Sequence, residues 1–240
     1  MQWSEEGIIL SARRHGETSV IAEVFTRGHG RYAGLVHGGR SRSMRAVLQP
    51  GNLVAATWRA RLSEHLGVFA IEPVALKAAA LIDDPFKLAG LTTLTTLAHL
   101  VPEREAHARL HDAFRYVLCA LDDDDLWPAL LVRWEFGLLE ELGFGLDLSR
   151  CAATGESREL VYVSPKTGRA VSAEAGAPYR DRLLALPAFL LGGGEGASSA
   201  EICEGFALTG HFLVRHVLQP RGLKLPEARA RIVSRLAETA

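Results

Sequence analysis

Residues 53–62, LVAATWRARL, alternate with a period of two: Val54, Ala56, Trp58, Ala60 and Leu62 share one face, and Thr57, Arg59 and Arg61 share the other. An apolar face backed by an arginine-bearing one is the pattern of a strand lying over a core. Four neighbouring stretches read the same way. Residues 7–12 carry Ile8-Ile9-Leu10, residues 19–25 are rich in β-branched and apolar side chains, residues 31–36 follow a Gly28-His29-Gly30 turn suited to a hairpin, and residues 66–71 lie just beyond Leu62. Five short strands with glycine-containing turns predict a compact barrel domain over residues 1–80.

Past Pro85 the period becomes helical. Residues 86–100, 105–121 and 128–142 are leucine-rich, with Pro85 and Pro128 where a first-turn proline is tolerated. The break Asp122-Asp123-Asp124-Asp125 reads as a solvated loop, with a cation site as the alternative. Residues 147–179 lose helical periodicity, and within them ELVYVSPKTGRAVS (159–172) reads as two short strands around a turn in which Gly168 takes a positive φ. Gly192, Gly193, Gly194 and Gly196 form a linker, after which Ser198 and Glu201 have capping-box spacing for a helix to about Leu218. Pro220 and Gly222 stop that helix, and Pro226 opens a last one. The fold class is therefore α+β: a barrel, then a mainly helical domain over residues 81–240 with a small β-hairpin insert.

Nearly half of the 240 residues are apolar, enough for a sizeable core. Cys119, Cys151 and Cys203 form no CxxC pair, which argues against a disulfide framework and suits a reducing cytoplasm. No apolar run approaches the roughly 18 residues of a membrane span, so no membrane role is expected. Net charge is -1 overall, but residues 1–80 carry +4 and the remainder -5, which hints at a polyanion-binding face on the barrel. The phosphate loop GxxxxGK[ST], the GxSxG elbow and HExxH are all absent, and His107 and His111 lack a third ligand in pattern. Neither catalysis nor a cofactor is expected.

Residues 26–45, TRGHGRYAGLVHGGRSRSMR, hold five arginines, five glycines, three serine or threonine side chains and no acid. Glycines let a backbone approach phosphates and arginines neutralise them, so this composition suits a mobile phosphate-tracking loop; a solvated surface loop is the alternative. Tyr32 reads equally as a base-stacking ring or a core residue. In residues 128–142, Leu131, Trp134, Glu135, Leu138 and Leu142 cluster on one side and Arg133, Phe136, Gly137 and Glu140 on the other. Arg133 beside Phe136 and Gly137 could seat an acidic peptide ending in an aromatic, although Glu140 opposes this. Arg215, His216, Arg221, Lys224, Arg229, Arg231 and Arg235 make a second basic group, interspersed with glutamates.

GIILSARRHGETSVIAEVFTRGHGRYAGLVHGGRSR, VRWEFGLLEELGFGLDLSRCAATG and Pro226-Glu227-Ala228-Arg229, in this order and spacing, resemble the RecO recombination mediators of bacteria over essentially the whole chain. The resemblance implies an OB-fold followed by a helical domain, and a cytoplasmic, nucleoid-associated role in DNA repair and recombination. It further implies binding of single- and double-stranded DNA, annealing of complementary strands, and partnership with RecR. Contact with the acidic C-terminal tail of single-stranded DNA-binding protein, and thereby help to RecA, completes the picture. Arg31, Arg40, Arg42 and Arg45, with Arg14, Arg27, Tyr32, Arg59 and Arg61, then form the expected DNA-binding set, and Arg133, Phe136 and Arg215 the expected tail-binding set. Many relatives have a four-cysteine zinc site; here Cys151, Thr154, Ser172 and Ala175 stand at the matching places, so zinc is not expected. An RNA-binding barrel protein and a pure protein-interaction adaptor remain the competing readings.

Overall fold

The computed structural model describes residues 1–62, 64–192 and 196–239. Strands β1 (Gln2–His15), β2 (Ser19–Thr26), β3 (Gly30–Val36), β4 (Leu53–Arg59) and β5 (Val68–Ala75) form a closed barrel in the order β1-β2-β3-β5-β4. The closure depends on β1. Its first half, Gln2 to Ile8, pairs antiparallel with β4, while Gly7 to His15 pairs antiparallel with β2, the β1–β2 register shifting between Ile9 and Ser11. Gly7 lies in both ladders, and a Cβ there would stand 2.5 Å from a methyl of Val24, so the crossing tolerates no side chain. The ring is completed by a single parallel pair, Leu35 with Val68.

Ile9, Val24, Val54, Ala56, Trp58 and Phe69 fill the barrel. The alternation read in residues 53–62 holds from Val54 to Trp58, but the strand ends at Arg59 and Leu62 is 48 % exposed. The chain must reverse there to bring β5 back antiparallel. The Trp58 indole pins that reversal by donating to the Leu66 carbonyl at 3.0 Å, and Gly67, at φ +69°, crosses so close over the ring that only glycine fits.

The expected mobile loop over residues 26–45 is instead largely ordered structure. Besides β3 it contains helix α1 (Arg42–Val47), capped by the Ser41 hydroxyl, which accepts from the Met44 N–H, and anchored by buried Val47 and Leu48. Helices α2 (Lys77–Leu81), α3 (Pro85–Ala98) and α4 (Ala108–Ala120) follow, α3 with Pro85 in its first turn and the Asp84 carboxylate accepting from the Phe86 and Lys87 N–H groups. The chain divides into two compact units, Met1–Cys119 and Ala120–Ala240. Composition changes at Pro85, but compactness follows packing: His111 of α4 meets the Phe25 ring of β2 edge-on at 5.2 Å, so α3 and α4 lie within the barrel's unit.

The second unit contains α5 (Trp127–Glu141), the sheet β7-β6-β8 formed by β6 (Leu160–Val163), β7 (Ala170–Ser172) and β8 (Leu184–Ala185), the short α6 (Ala173–Gly176), α7 (Ser199–Phe212) and α8 (Glu227–Ala237). The hairpin turns at Gly168, φ +68°, as its sequence demands, whereas β8 gave no sequence signal. Ser198 and Glu201 form the capping box, but the helix widens to π geometry over Leu213–Leu218 instead of running unbroken to Leu218. Of the glycine linker, Gly193 and Gly194 lie outside the described residues.

Glu135, fully buried on α5, is the centre of this unit. Arg229 of α8 donates to it from Nε and Nη2 at 2.7 and 2.9 Å, Thr209 of α7 adds its hydroxyl, and Arg229 also bonds the Phe206 carbonyl at 2.6 Å. Breaking a buried pair strands the remaining charge. Arg229→Met should therefore lower the unfolding free energy in urea by about 3–5 kcal/mol, and the double variant with Glu135→Met should recover most of the loss.

His111 supplies a pH dependence. Burial holds its pKa below the ordinary 6.5, against the opposing pull of the Asp112 carboxylate, which accepts a hydrogen bond from the ring. The unfolded chain takes up this proton near pH 6.5 while the folded imidazole resists, so stability is lost as pH falls from 6.5 through the lowered value. The urea midpoint should drop on acidification across that window and do so less steeply in His111→Leu; an identical slope would exclude His111 as the source.

Candidate nucleic-acid interface

The turn between β1 and β2, the loop after β3 and helix α1 enclose a cleft of about 480 Å³. Arg14 near the end of β1, Arg40 in the loop and Arg45 on α1 line it, with Ser11 and Gln49 and no acidic side chain. Arg42 opens the same helix. Among the described residues Arg14, Arg42 and Arg45 form no ion pair, so their charge faces solvent uncompensated. Arg40 is partly committed: one nitrogen donates to the Gly16 and Glu17 carbonyls, tying the β1–β2 turn to the β3–α1 loop. That tie shapes the cleft and leaves its other donors available.

The remaining expected DNA contacts are not gathered here. Arg27 pairs with Asp112 at 3.0 Å and, through that hydrogen bond first, holds the Asp112 carboxyl below the usual range. Arg31 is a correction to its expected role: only 13 % exposed, it bonds the Val101 carbonyl at 3.0 Å and the carboxylates of Glu23 and Glu103 at 3.2 Å. A guanidinium so enclosed joins β3 to the segment before α4 and offers little to a phosphate. Arg59 and Arg61 are exposed, but Arg59 stands opposite Gln2 at the start of β1, at the other end of that strand from Arg14. Tyr32 is half-buried against Trp3 and Trp58, with ring centroids 5.2 and 5.1 Å away and the Arg104 guanidinium 5.2 Å from its own, so it packs the barrel end.

The expected tail-binding trio is likewise not a single seat. Arg133 is exposed, donates to the Phe189 carbonyl at 2.6 Å and lies 5.9 Å from that ring. Arg215 donates to the Pro165 carbonyl at 2.8 Å and lines a separate cleft of about 540 Å³ together with His211, Val214, Leu225 and Arg229, a wall to which Arg133 and Phe136 do not contribute. His211 is the lining residue missed in sequence, a lone histidine among apolar positions of α7, whereas Arg229, already counted in the second basic group, has its charge taken up by Glu135.

At the hairpin, Cys151, Thr154 and Ser172 do come together. The buried Cys151 sulfur accepts from the Ser172 N–H at 3.3 Å and from its hydroxyl at 3.5 Å. Desolvation acts to raise this thiol, but the donors of Ser172 and Thr154 outweigh it and bring the pKa down to about 6. One thiolate, two hydroxyls and Ala175, which has no donor atom, do not fit four-coordinate zinc; among the described residues no group of three His, Cys, Asp or Glu could hold a metal. Also among them, no helix is long and apolar enough to cross a membrane. In a Cys119→Ser/Cys203→Ser background, ultraviolet thiolate absorbance should appear with a midpoint near 6 and move up toward 9 in Ser172→Ala; a midpoint that stays put would show that Ser172 does not stabilise the anion.

Two family models match the chain, one described as Recombination protein O N terminal over residues 1–75 and one as Recombination protein O C terminal over residues 82–224. DNA repair protein RecO of Methylobacterium nodulans is 56% identical over 239 residues, covering 98% of this chain and 97% of the relative. Proteins of the same name from Mesorhizobium japonicum and Rhodospirillum centenum are each 54% identical, over 98% of this chain and 94% of their own lengths. With both family models and near-full-length relatives in agreement, the chain belongs to the RecO family.

Proposed function

We propose that this RecO-family protein acts in DNA repair and recombination by binding single-stranded DNA in the arginine cleft of its barrel. From there it anneals complementary strands and helps RecA replace the single-strand binder, with RecR as partner. No bond is made or broken in this role, which asks for a reversible grip on phosphates rather than catalysis. The observation that carries the reading is the cleft of Arg14, Arg40 and Arg45, with Arg42 beside it, cationic and free of lining acids. The names of the relatives support repair as the process. For the acidic tail of the single-strand binder, the hollow in which Arg215 stands beside Val214 and Leu225 is the better seat, since it sets an exposed guanidinium against an apolar floor.

If Arg14, Arg40, Arg42 and Arg45 each neutralise one phosphate, binding to an oligothymidine should weaken with a log–log salt slope of about -2.8, roughly 50-fold between about 50 and 200 mM. Arg14→Ala/Arg45→Ala should halve that slope to about -1.4. Fluorescence anisotropy reads both, and a flat salt response in the wild type would remove the cleft from the proposal.

A further inference from the structure

The cationic cleft runs directly into an apolar one. Ser11, Gln49 and Pro50 line both, and from this saddle a cleft of about 570 Å³ opens between β1 and helices α2 and α3. Leu10 and Leu91 lie buried at its floor, while Leu76, Ile82 and Leu88 line it at 46, 65 and 36 % exposure. Thr92 and Thr95 commit their hydroxyls to the Leu88 and Leu91 carbonyls at 2.7 and 2.9 Å, which leaves their methyl groups for the cleft. Polar groups at its margins are already engaged: His99 pairs with Glu23 at 3.0 Å, and Asp84 caps α3.

Three large aliphatic side chains exposed at one cleft mark a surface that gains by being covered. Its volume lies within the roughly 300–1,000 Å³ typical of ligand sites. No acidic side chain lines either half, and Arg14 and Arg45 across the saddle keep their charge uncompensated, so the electrostatic complement of the pair is a chain apolar at one end and anionic at the other. We infer that the joined clefts dock a peptide segment of a partner protein in which two aliphatic or aromatic anchors are followed by acidic residues. The anchors fill the hollow between β1 and α3, and the carboxylates cross Gln49 and Pro50 to reach the arginines. Where the single-strand reading holds, peptide and DNA compete for Arg14 and Arg45; the apolar half of the site does not depend on that reading.

A display library of random linear peptides panned on the full-length protein tests this. Enriched sequences should combine apolar residues with aspartate or glutamate. The leading peptide, measured by anisotropy, should bind about tenfold more weakly to Ile82→Glu, a substitution at an exposed position, while that variant keeps wild-type oligothymidine binding. Arg14→Ala/Arg45→Ala should weaken the peptide as well. Absence of enrichment over bare support, enriched peptides lacking acids, or indifference to Ile82→Glu would overturn the inference. So would self-association that Ile82→Glu abolishes, which would assign the hollow to a second copy of the chain. Loss of the oligothymidine response with the peptide response intact would instead sink only the single-strand reading.

Discussion

One strand serves two ladders. Because β1 gives its first half to β4 and its second to β2, the two ladders overlap at Gly7 and Ile8, and Gly7 lies so close to Val24 that the overlap tolerates no side chain. Everything at the two ends of β1 inherits its position from that overlap. Arg14 is carried to the β1–β2 turn beside α1, where Arg40 and Arg45 meet it, whereas Arg59 is left opposite Gln2. The arginines of the barrel therefore make two separate groups, and the one at the β1–β2 turn lines a cleft.

Within this unit the decisive distinction is between charge that composition counts and charge that remains free. Five arginines without an acid in residues 26–45 look like an open cationic track. The acids that neutralise two of them come from elsewhere: Asp112 for Arg27, Glu23 and Glu103 for Arg31. Glu23 lies just outside that stretch, but Glu103 and Asp112 are 72 and 85 residues from the arginines they meet, beyond any local window. What survives as free charge is the set whose neighbours are backbone carbonyls, glutamine and serine.

Local rules read well wherever the determinant was local. The alternation through Trp58, the proline at the head of α3, the Ser198–Glu201 box and the Gly168 turn each state their own geometry within a few residues. The end of β4, helix α1 and strand β8 escaped because tertiary contacts decide them: an indole bonded to Leu66, a six-residue helix held by Val47 and Leu48, and a two-residue strand with no period to show. Glu135 was legible in a different way. A carboxylate among Leu131, Trp134 and Leu138 demands a buried cation, but the sequence does not say which of many arginines answers; Arg229 does, from 94 residues away. The site was legible as residue types, and its assembly was not.

The β3–β5 junction contrasts with the long ladders elsewhere in the ring, since its ladder is a single parallel pair, Leu35 with Val68, supported by the Leu35 N–H donating to the Gly67 carbonyl at 3.0 Å and by the Phe69 ring packing on Gly34. Such a joint behaves as a clasp. Separating it sacrifices few backbone bonds and leaves the β1-β2 and β1-β4 ribbons whole, so the cheapest excursion of the barrel is to unroll at this seam, with amides there exchanging with solvent well before the rest of the ring lets go.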